Sequence, residues 1–270
     1  MRSLLFTIAY WALSVGYVLA ALPLLILPTG RPLTIWIRSY TRAMRKALHW
    51  LAGVRTIALG KDRLPSEGAY IVAAKHQSWG DGFMVYSEVD DLVFVTGDHL
   101  ERLPLLGGIL KKLGAIVIDT CGGGERKAAS LSEGMALAKA NNKRVLIYPE
   151  GHLAPVDYKM RYKAGVWHMY NEMNVPVVPV ATNLGVFWAQ ESFQKTPGTA
   201  SIEFLEPIAP GLPKEEFLEL LETRIEGRTA ELVSDATGRS PVVAEQLPEP
   251  PKGTPVRAPE RVEKLLKTAG

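Results

Sequence analysis

The sequence predicts an α/β fold: a mixed, mostly parallel sheet sandwiched by helices, with an N-terminal membrane-associated helix pair ahead of it. Three observations carry that expectation. From about Ile57 onward, short runs rich in Val and Ile alternate with helical segments, the pattern of strands buried on both faces. Residues 3–30 contain no charged side chain. Eight of the 31 basic residues, and none of the 28 acidic ones, precede Asp62, so the modest net charge of +3 hides a strongly basic first segment. With 270 residues, 47% apolar and only 22% charged, the chain has enough apolar side chains for a core, which excludes a largely disordered protein. Its single cysteine, Cys121, excludes disulfide frameworks and Cys-rich metal sites.

Residues 1–56 read as an anchor. The run 4–27 is almost wholly apolar and, as a helix at about 1.5 Å per residue, is long enough to cross most of a bilayer's hydrocarbon. Val18-Leu19-Ala20 resembles a signal-peptide cleavage site. However, the apolar stretch continues through Leu27 and the leading region holds only Arg2, so the segment is expected to stay attached. Pro23 lacks an N–H and is expected to kink the helix, which leaves a spanning or a shallow re-entrant path open. After the turn residues 28–32, a second helix is predicted to about Leu51. Arg38, Arg42, Arg45 and His49 recur on one face, and Ile37, Tyr40, Met44, Leu48 and Leu51 on another. Trp36 and Trp50 near its ends suit the headgroup level of a membrane, and the basic face suits anionic lipid. The Lys and Arg excess after the anchor is expected to place the main domain on the cytoplasmic side of the membrane.

Residues 57–236 read as the main domain. Strands are predicted at 69–74, 92–95, 115–118, 144–148, 177–181 and 201–204, and helices at 80–88, 104–113, 125–140, 162–173 and 214–234. Val175-Pro176-Val177-Val178-Pro179-Val180 puts prolines where a central ladder would not take them, which predicts an edge strand or a bulge. Residues 237–270 hold six prolines in the last thirty positions and read as a disordered tail with one transient helix at 259–267.

The chemistry concentrates at strand ends, where α/β sheets place their sites. In Lys75-His76-Gln77-Ser78-Trp79-Gly80-Asp81, a buried strand ends and a helix begins. His76 and Asp81 are five positions apart across that turn. The carboxylate can fold back to one ring nitrogen and fix the tautomer, leaving the other nitrogen as a base. A histidine held by a helix-capping aspartate, with no reaction to perform, has the same spacing. Two further strands run into Asp119-Thr120 before the loop Gly122-Gly123-Gly124, and into Tyr148-Pro149-Glu150-Gly151-His152. No G-x-S-x-G elbow occurs, and Cys121 has no nearby histidine in sequence, so no covalent nucleophile is expected. The glycine loop lacks the Lys-Ser/Thr ending of a phosphate loop, and neither nucleotide nor nucleic-acid binding is expected.

In this order the four blocks resemble the glycerolipid acyltransferase family, in its bacterial 1-acylglycerol-3-phosphate acyltransferase branch, over about residues 57–210. The resemblance implies that His76 is the base and Asp81 its orienting partner. It also implies that Glu150 and Gly151 help bind the acyl acceptor, and that the proline block serves packing or the acyl donor. It implies a fatty acyl group moved from a thioester, on coenzyme A or acyl carrier protein, to the free hydroxyl of a lysolipid. No cofactor or metal is then expected, the partners are membrane lipids, the lysolipid and the donor, and the membrane implied is the inner membrane of a bacterium. Thr120 and Leu153 stand where the family usually has arginines that grip the acceptor's phosphate. Replacement cations are Arg126 and Lys127, and Lys159, Arg161 and Lys163, of which Arg126 and Lys163 are the candidates carried forward. A lysolipid lacking glycerol phosphate, such as a lyso-ornithine lipid, stays open as the acceptor, as does a non-catalytic lipid-binding role.

Overall fold

The computed structural model describes residues 1–97, 100, 105–118, 124–190 and 192–249, with the backbone alone at 124–128. Among them seven strands form one sheet: β1 (Val54–Leu59), β2 (Tyr70–Ala74), β3 (Leu92–Gly97), β4 (Ile116–Ile118), β5 (Arg144–Ile147), β7 (Val177–Thr182) and β8 (Gly198–Phe204). Their spatial order is β1-β8-β7-β2-β5-β3-β4, parallel throughout except for the antiparallel β7–β8 pair. The mixed, mostly parallel sheet is the one the sequence predicts. β2, in the middle, has four small or aliphatic side chains and one tyrosine ring to bury on two faces. Tyr70, Val72 and Ala74 enter one core and Ile71 and Ala73 the other, as a period of two requires.

Helices cover both faces. One carries α1 (Arg2–Ala21), α2 (Arg31–Ala47), α3 (Asp81–Glu88) and the short α7 (Leu184–Phe187), packed through Phe6, Met44, Leu48, Met84, Val85 and Phe187. The other carries α5 (Gly124–Ala140), α6 (Gly165–Met173) and α8 (Lys214–Thr237), packed through Met135, Val166, Met169, Phe217, Leu221 and Ile225. α4 (Leu106–Leu113) meets the end of α1 in a satellite cluster of Ala21, Leu33, Ile109 and Leu113.

Several sequence expectations are sharpened or corrected. β7 is a central strand, not an edge. The pairings Val180↔Phe204 and Val177↔Ile208 leave two residues between them on β7 and three on the partner, so the ladder slips by one residue where Pro179 has no N–H to give. The main domain begins at β1, three residues before Ile57. Arg55 and the half-exposed edge position mask its strand pattern. α6 starts at Gly165 and not at Tyr162, because residues 158–162 are drawn out to bond a buried cluster described below. Residues 238–249, assigned to the tail by composition, pack on the domain. β9 (Glu245–Gln246) pairs with β6 (Tyr158–Lys159), Leu247 is buried against Ala154 and Met160, and Arg239 meets Asp157 at 2.8 Å. Residues 250–270 lie outside the described residues.

The basic face of α2 is also redistributed. Arg38 pairs with Asp90 and bonds the Ser87 carbonyl, while Arg45 pairs with Glu88 and reaches Thr56 Oγ1 at 2.8 Å. These two cations dock α2 onto α3 and do not face outward, whereas Arg31, Arg42, Lys46 and Trp50 are exposed. α1 lies along the domain and is tied at both ends: the Lys195 N–H donates to Ser3 Oγ at 2.9 Å, and Ala21 is buried. Between them Phe6 and Tyr10 meet Trp188 edge-on at 5.0 and 6.0 Å, and Ser14 bonds the Tyr40 hydroxyl at 2.8 Å. Its other face, with Leu4, Ile8, Trp11, Val15 and Leu19, is apolar and exposed.

Candidate active site

β2 ends between β5 and β7, both parallel to it, so the residues following the three strands converge at the carboxyl edge of the sheet. Lys75 and His76 follow β2, Tyr148, Pro149 and Glu150 follow β5, and Thr182 and Asn183 lie at the end of β7. Asp81 opens α3, where the helix N-terminus favours a carboxylate. It folds back so that a single oxygen, Oδ2, accepts the Gln77 N–H at 2.8 Å and the Ser78 N–H at 2.8 Å, and sits 3.1 Å from His76 Nδ1. An ionised carboxylate already fed by two donors makes Nδ1 the protonated ring nitrogen, leaving Nε2 with a lone pair. Asp81 is 1% exposed, whereas the His76 side chain is 18% exposed. The acid is therefore sealed and the imidazole opens to the surface.

The plane of the ring is set by Tyr148, which stacks on it with centroids 3.8 Å apart and planes within 15°. Burial, with the Asp81 charge adding, pushes the Tyr148 hydroxyl well above its ordinary range, so it stays neutral. Tyr148 is missed by sequence reasoning, although it immediately precedes the P-E-G turn. Gly80 holds the turn from the other side: a Cβ there would lie 2.8 Å from both Leu184 and the Trp188 ring. Only a residue without a side chain lets α3 approach α7 this closely.

Glu150 is fully buried, and its two oxygens are taken by protein donors. Oε1 accepts Lys75 Nζ at 2.8 Å and the Met160 N–H at 2.9 Å, while Oε2 accepts the His76 N–H at 3.2 Å. The resemblance implies that Glu150 helps bind the acceptor; here its carboxylate faces the interior and holds the backbone N–H of His76. Lys75 is equally buried and also bonds Glu226 Oε1 at 2.9 Å and the Tyr158 carbonyl at 3.0 Å. Burial opposes its charge, but the two carboxylates outweigh burial and hold its ammonium above the ordinary lysine range. Burial, reinforced by Glu226 and partly offset by Lys75, raises Glu150. A lysine closing a buried strand was the available sequence signal for this cluster. Glu226, one of several acids on α8, had none.

Gly151 adopts a φ of +67° to close the P-E-G turn, its N–H donating to the Tyr148 carbonyl at 2.9 Å. The side chain of Lys163 lies across it, with Nζ 2.7 Å from where a Cβ would stand, and the Lys163 N–H donates to the Pro149 carbonyl at 2.9 Å. Lys163 is exposed at that lip of the site. Leu153, at the position of an expected arginine, is 5% exposed and points into the core. Lys159 is engaged with Glu222 at 2.5 Å, and Arg161 is exposed. The side chains of Arg126 and Lys127, and all of Thr120 and Cys121, lie outside the described residues. Among the described residues, no group of three His, Cys, Asp or Glu side chains could hold a metal ion.

Residues 56–183 match the acyltransferase family. The chain is 28% identical over 158 residues to the 1-acyl-sn-glycerol-3-phosphate acyltransferase of Pseudomonas aeruginosa, covering 56% of this chain and 58% of that protein. It is 25% identical over 164 residues to the protein of the same name from Limnanthes alba, covering 59% and 56%. The chain thus spans a little over half the length of the curated relatives it matches. Among solved structures, the 1-acyl-sn-glycerophosphate (LPA) acyltransferase PlsC from Thermotoga maritima has the same fold. It superposes with a TM-score of 0.70 at 19% identity, over 86% of this chain and 98% of that one.

Proposed function

From the premise that residues 56–183 form an acyltransferase-family domain, we propose that the chain transfers a fatty acyl group from an acyl thioester to the free hydroxyl of a 1-acylglycerol-3-phosphate. The observation that carries the reading is the His76–Asp81 pair, with its sealed acid and half-open imidazole. Nε2 takes the proton of the acceptor hydroxyl as its oxygen attacks the thioester carbonyl. The C–S bond breaks, and the departing thiolate takes that proton from the imidazolium. Ester and thiol are the products, with no covalent enzyme intermediate. Asp81 stabilises the imidazolium and keeps the tautomer, as the acid of a Ser-His-Asp triad does. The donor is carried on coenzyme A or acyl carrier protein.

Lys163 is the cation we assign to the acceptor's phosphate, since it is exposed and its side chain lies across Gly151 of the P-E-G turn. A second acceptor class is favoured by one observation: Leu153 turns inward where the family carries a phosphate-gripping arginine. A lysolipid without glycerol phosphate, such as a lyso-ornithine lipid, needs no such cation.

The exposed face of α1 is assigned to lipid. A helix docked lengthwise and tied at both ends fits one leaflet, with Trp50, Arg42 and Lys46 at headgroup level and the domain on the cytoplasmic side. Acceptor and product can then move laterally, without crossing water.

The test is thiol release by purified protein in mixed micelles, offered an acyl thioester with each acceptor in turn. Turnover with 1-acylglycerol-3-phosphate is expected. Turnover confined to the amino-acid lysolipid would transfer the assignment to the second acceptor, and no turnover with any lysolipid would end the acyltransferase reading.

A further inference from the structure

Beneath the base lies an ionic cluster that the transfer chemistry does not use. Lys75 Nζ is held by Glu150 Oε1 at 2.8 Å, Glu226 Oε1 at 2.9 Å and the Tyr158 carbonyl at 3.0 Å, and the Tyr162 hydroxyl donates to Glu226 Oε1 at 2.9 Å. The lysine and Glu150 side chains are 0% exposed and that of Glu226 is 10% exposed. One ammonium and two carboxylates are expensive to bury, and apolar side chains of similar volume often stabilise a core as well or better. Stability alone is therefore a poor reason for this arrangement.

What the cluster bonds is more telling, because its links run to the site. Glu150 Oε2 holds the His76 N–H, and Glu150 Oε1 holds the Met160 N–H. Lys75 holds Tyr158, and Glu226 holds Tyr162, the residue before Lys163. Glu226 comes from α8, outside the family-matched residues 56–183, and reaches Lys75 across 151 positions of sequence.

We propose that Glu226 is a positioning residue. By holding Lys75 together with Glu150, it fixes the backbone of His76 relative to the 158–163 stretch and so sets the base against the acceptor's binding lip. Without the second carboxylate, one ammonium donor is left unpaired in the interior and the Tyr162 hydroxyl loses its acceptor. Lys75 and Glu150 then shift together, and the His76 amide shifts with them. The proposal rests on His76 being the base, and its test has one readout that needs no activity.

Full-length protein in detergent micelles is compared as wild type, E226L, E226Q and Y162F by hydrogen exchange and by acyl-transfer kinetics. In E226L, exchange in the peptide spanning 74–80 should rise about tenfold or more with the β8 peptide unchanged, a local opening as opposed to a global one. Its kcat should fall about 30-fold with KM for the acceptor within about threefold, the signature of a misplaced base. E226Q keeps an oxygen for Nζ and for Tyr162, and should restore kcat to within about fivefold of wild type. Should E226L fail to fold, Y162F carries the test, with locally raised exchange at 74–80 and a kcat loss of about two- to fivefold. Wild-type exchange at 74–80 in the folded variants, or protection lost evenly across the sheet, would overturn the proposal. If the wild type acylates no lysolipid, the functional reading falls while the exchange data still decide whether Glu226 positions His76.

Discussion

Lys75 and His76 are adjacent in sequence, and each meets a carboxylate shut off from water, Glu150 for the lysine and Asp81 for the histidine. Both acids also accept backbone N–H groups, so the two pairs have nearly the same parts. They differ in exposure and in how many partners hold the basic group. Lys75 is fully buried and its ammonium has three acceptors within the protein, so no donor is left for a bound molecule. The His76 ring has one acceptor, a stacked tyrosine and an open edge, so its second nitrogen can exchange a proton with a bound molecule. An ion pair is a brace where every donor is satisfied, and a reactive group where one position is left free.

If that contrast is right, removing each basic group should give opposite profiles. H76A should lower acyl transfer about 10³-fold or more, in the upper range for loss of a general base, with urea unfolding close to wild type. Retained turnover in micelle assays would end the base assignment. K75M leaves two carboxylates buried without their cation and should destabilise by about 3–5 kcal/mol, read from the urea midpoint at constant slope. A K75M protein as stable as wild type would show that the cluster is no brace.

Smaller effects test the edges of the site. K163A should raise KM for 1-acylglycerol-3-phosphate about tenfold at unchanged kcat, with the difference shrinking at high salt, as expected for a charge-assisted contact at an exposed site. An unchanged KM would move the phosphate contact to another cation. The seam between α2 and α3 provides a pH test. Burial works against the Glu88 carboxylate, but Lys61 and Arg45 outweigh it and hold Glu88 below its usual range. A lowered folded value means that its stabilisation is present above the ordinary glutamate value of about 4.3 and is lost as pH falls through the folded one. Thermal midpoints between pH 6 and 3 should therefore drop more steeply in the wild type than in E88Q. Parallel curves would remove Glu88 from the seam's energetics. Y148F should be the mildest change, below about twofold in kcat, because among the described residues the hydroxyl has no hydrogen-bond partner and the ring alone meets His76.

How much of this was legible depends on the range of the contact. His76 and Asp81 are five residues apart across one turn, so residue type and spacing were enough to pair them. β2 announced itself because both faces are buried and its apolar run is unbroken, and β5 through the apolar run that follows Arg144. β1 did not, since an edge strand with Arg55 and Thr56 satisfies no simple period. The slip at Pro179 was readable as an edge or a bulge, and only the neighbouring strands could select the bulge. Glu150 was found by its motif, but its burial was not: sequence names a carboxylate and does not say which way it faces. The pairing of Lys75 with Glu226 joins residues 151 positions apart and leaves no local trace. The docking of Arg38 and Arg45 on α3 was hidden for the same reason, because a basic stripe looks alike whether lipid or protein lies opposite.

Gly80, Trp188 and Phe6 form a row in which each presses on the next: the glycine has no room for a methyl group against the indole, and the indole is met edge-on by the phenyl ring of the outermost helix. Such a row works as a mechanical linkage without slack. Displacing the indole from the motif side disturbs the helix on the surface, and prying up that helix loosens the turn that holds His76. A single added carbon at position 80 would therefore push on the indole, and through it on the helix that carries Phe6.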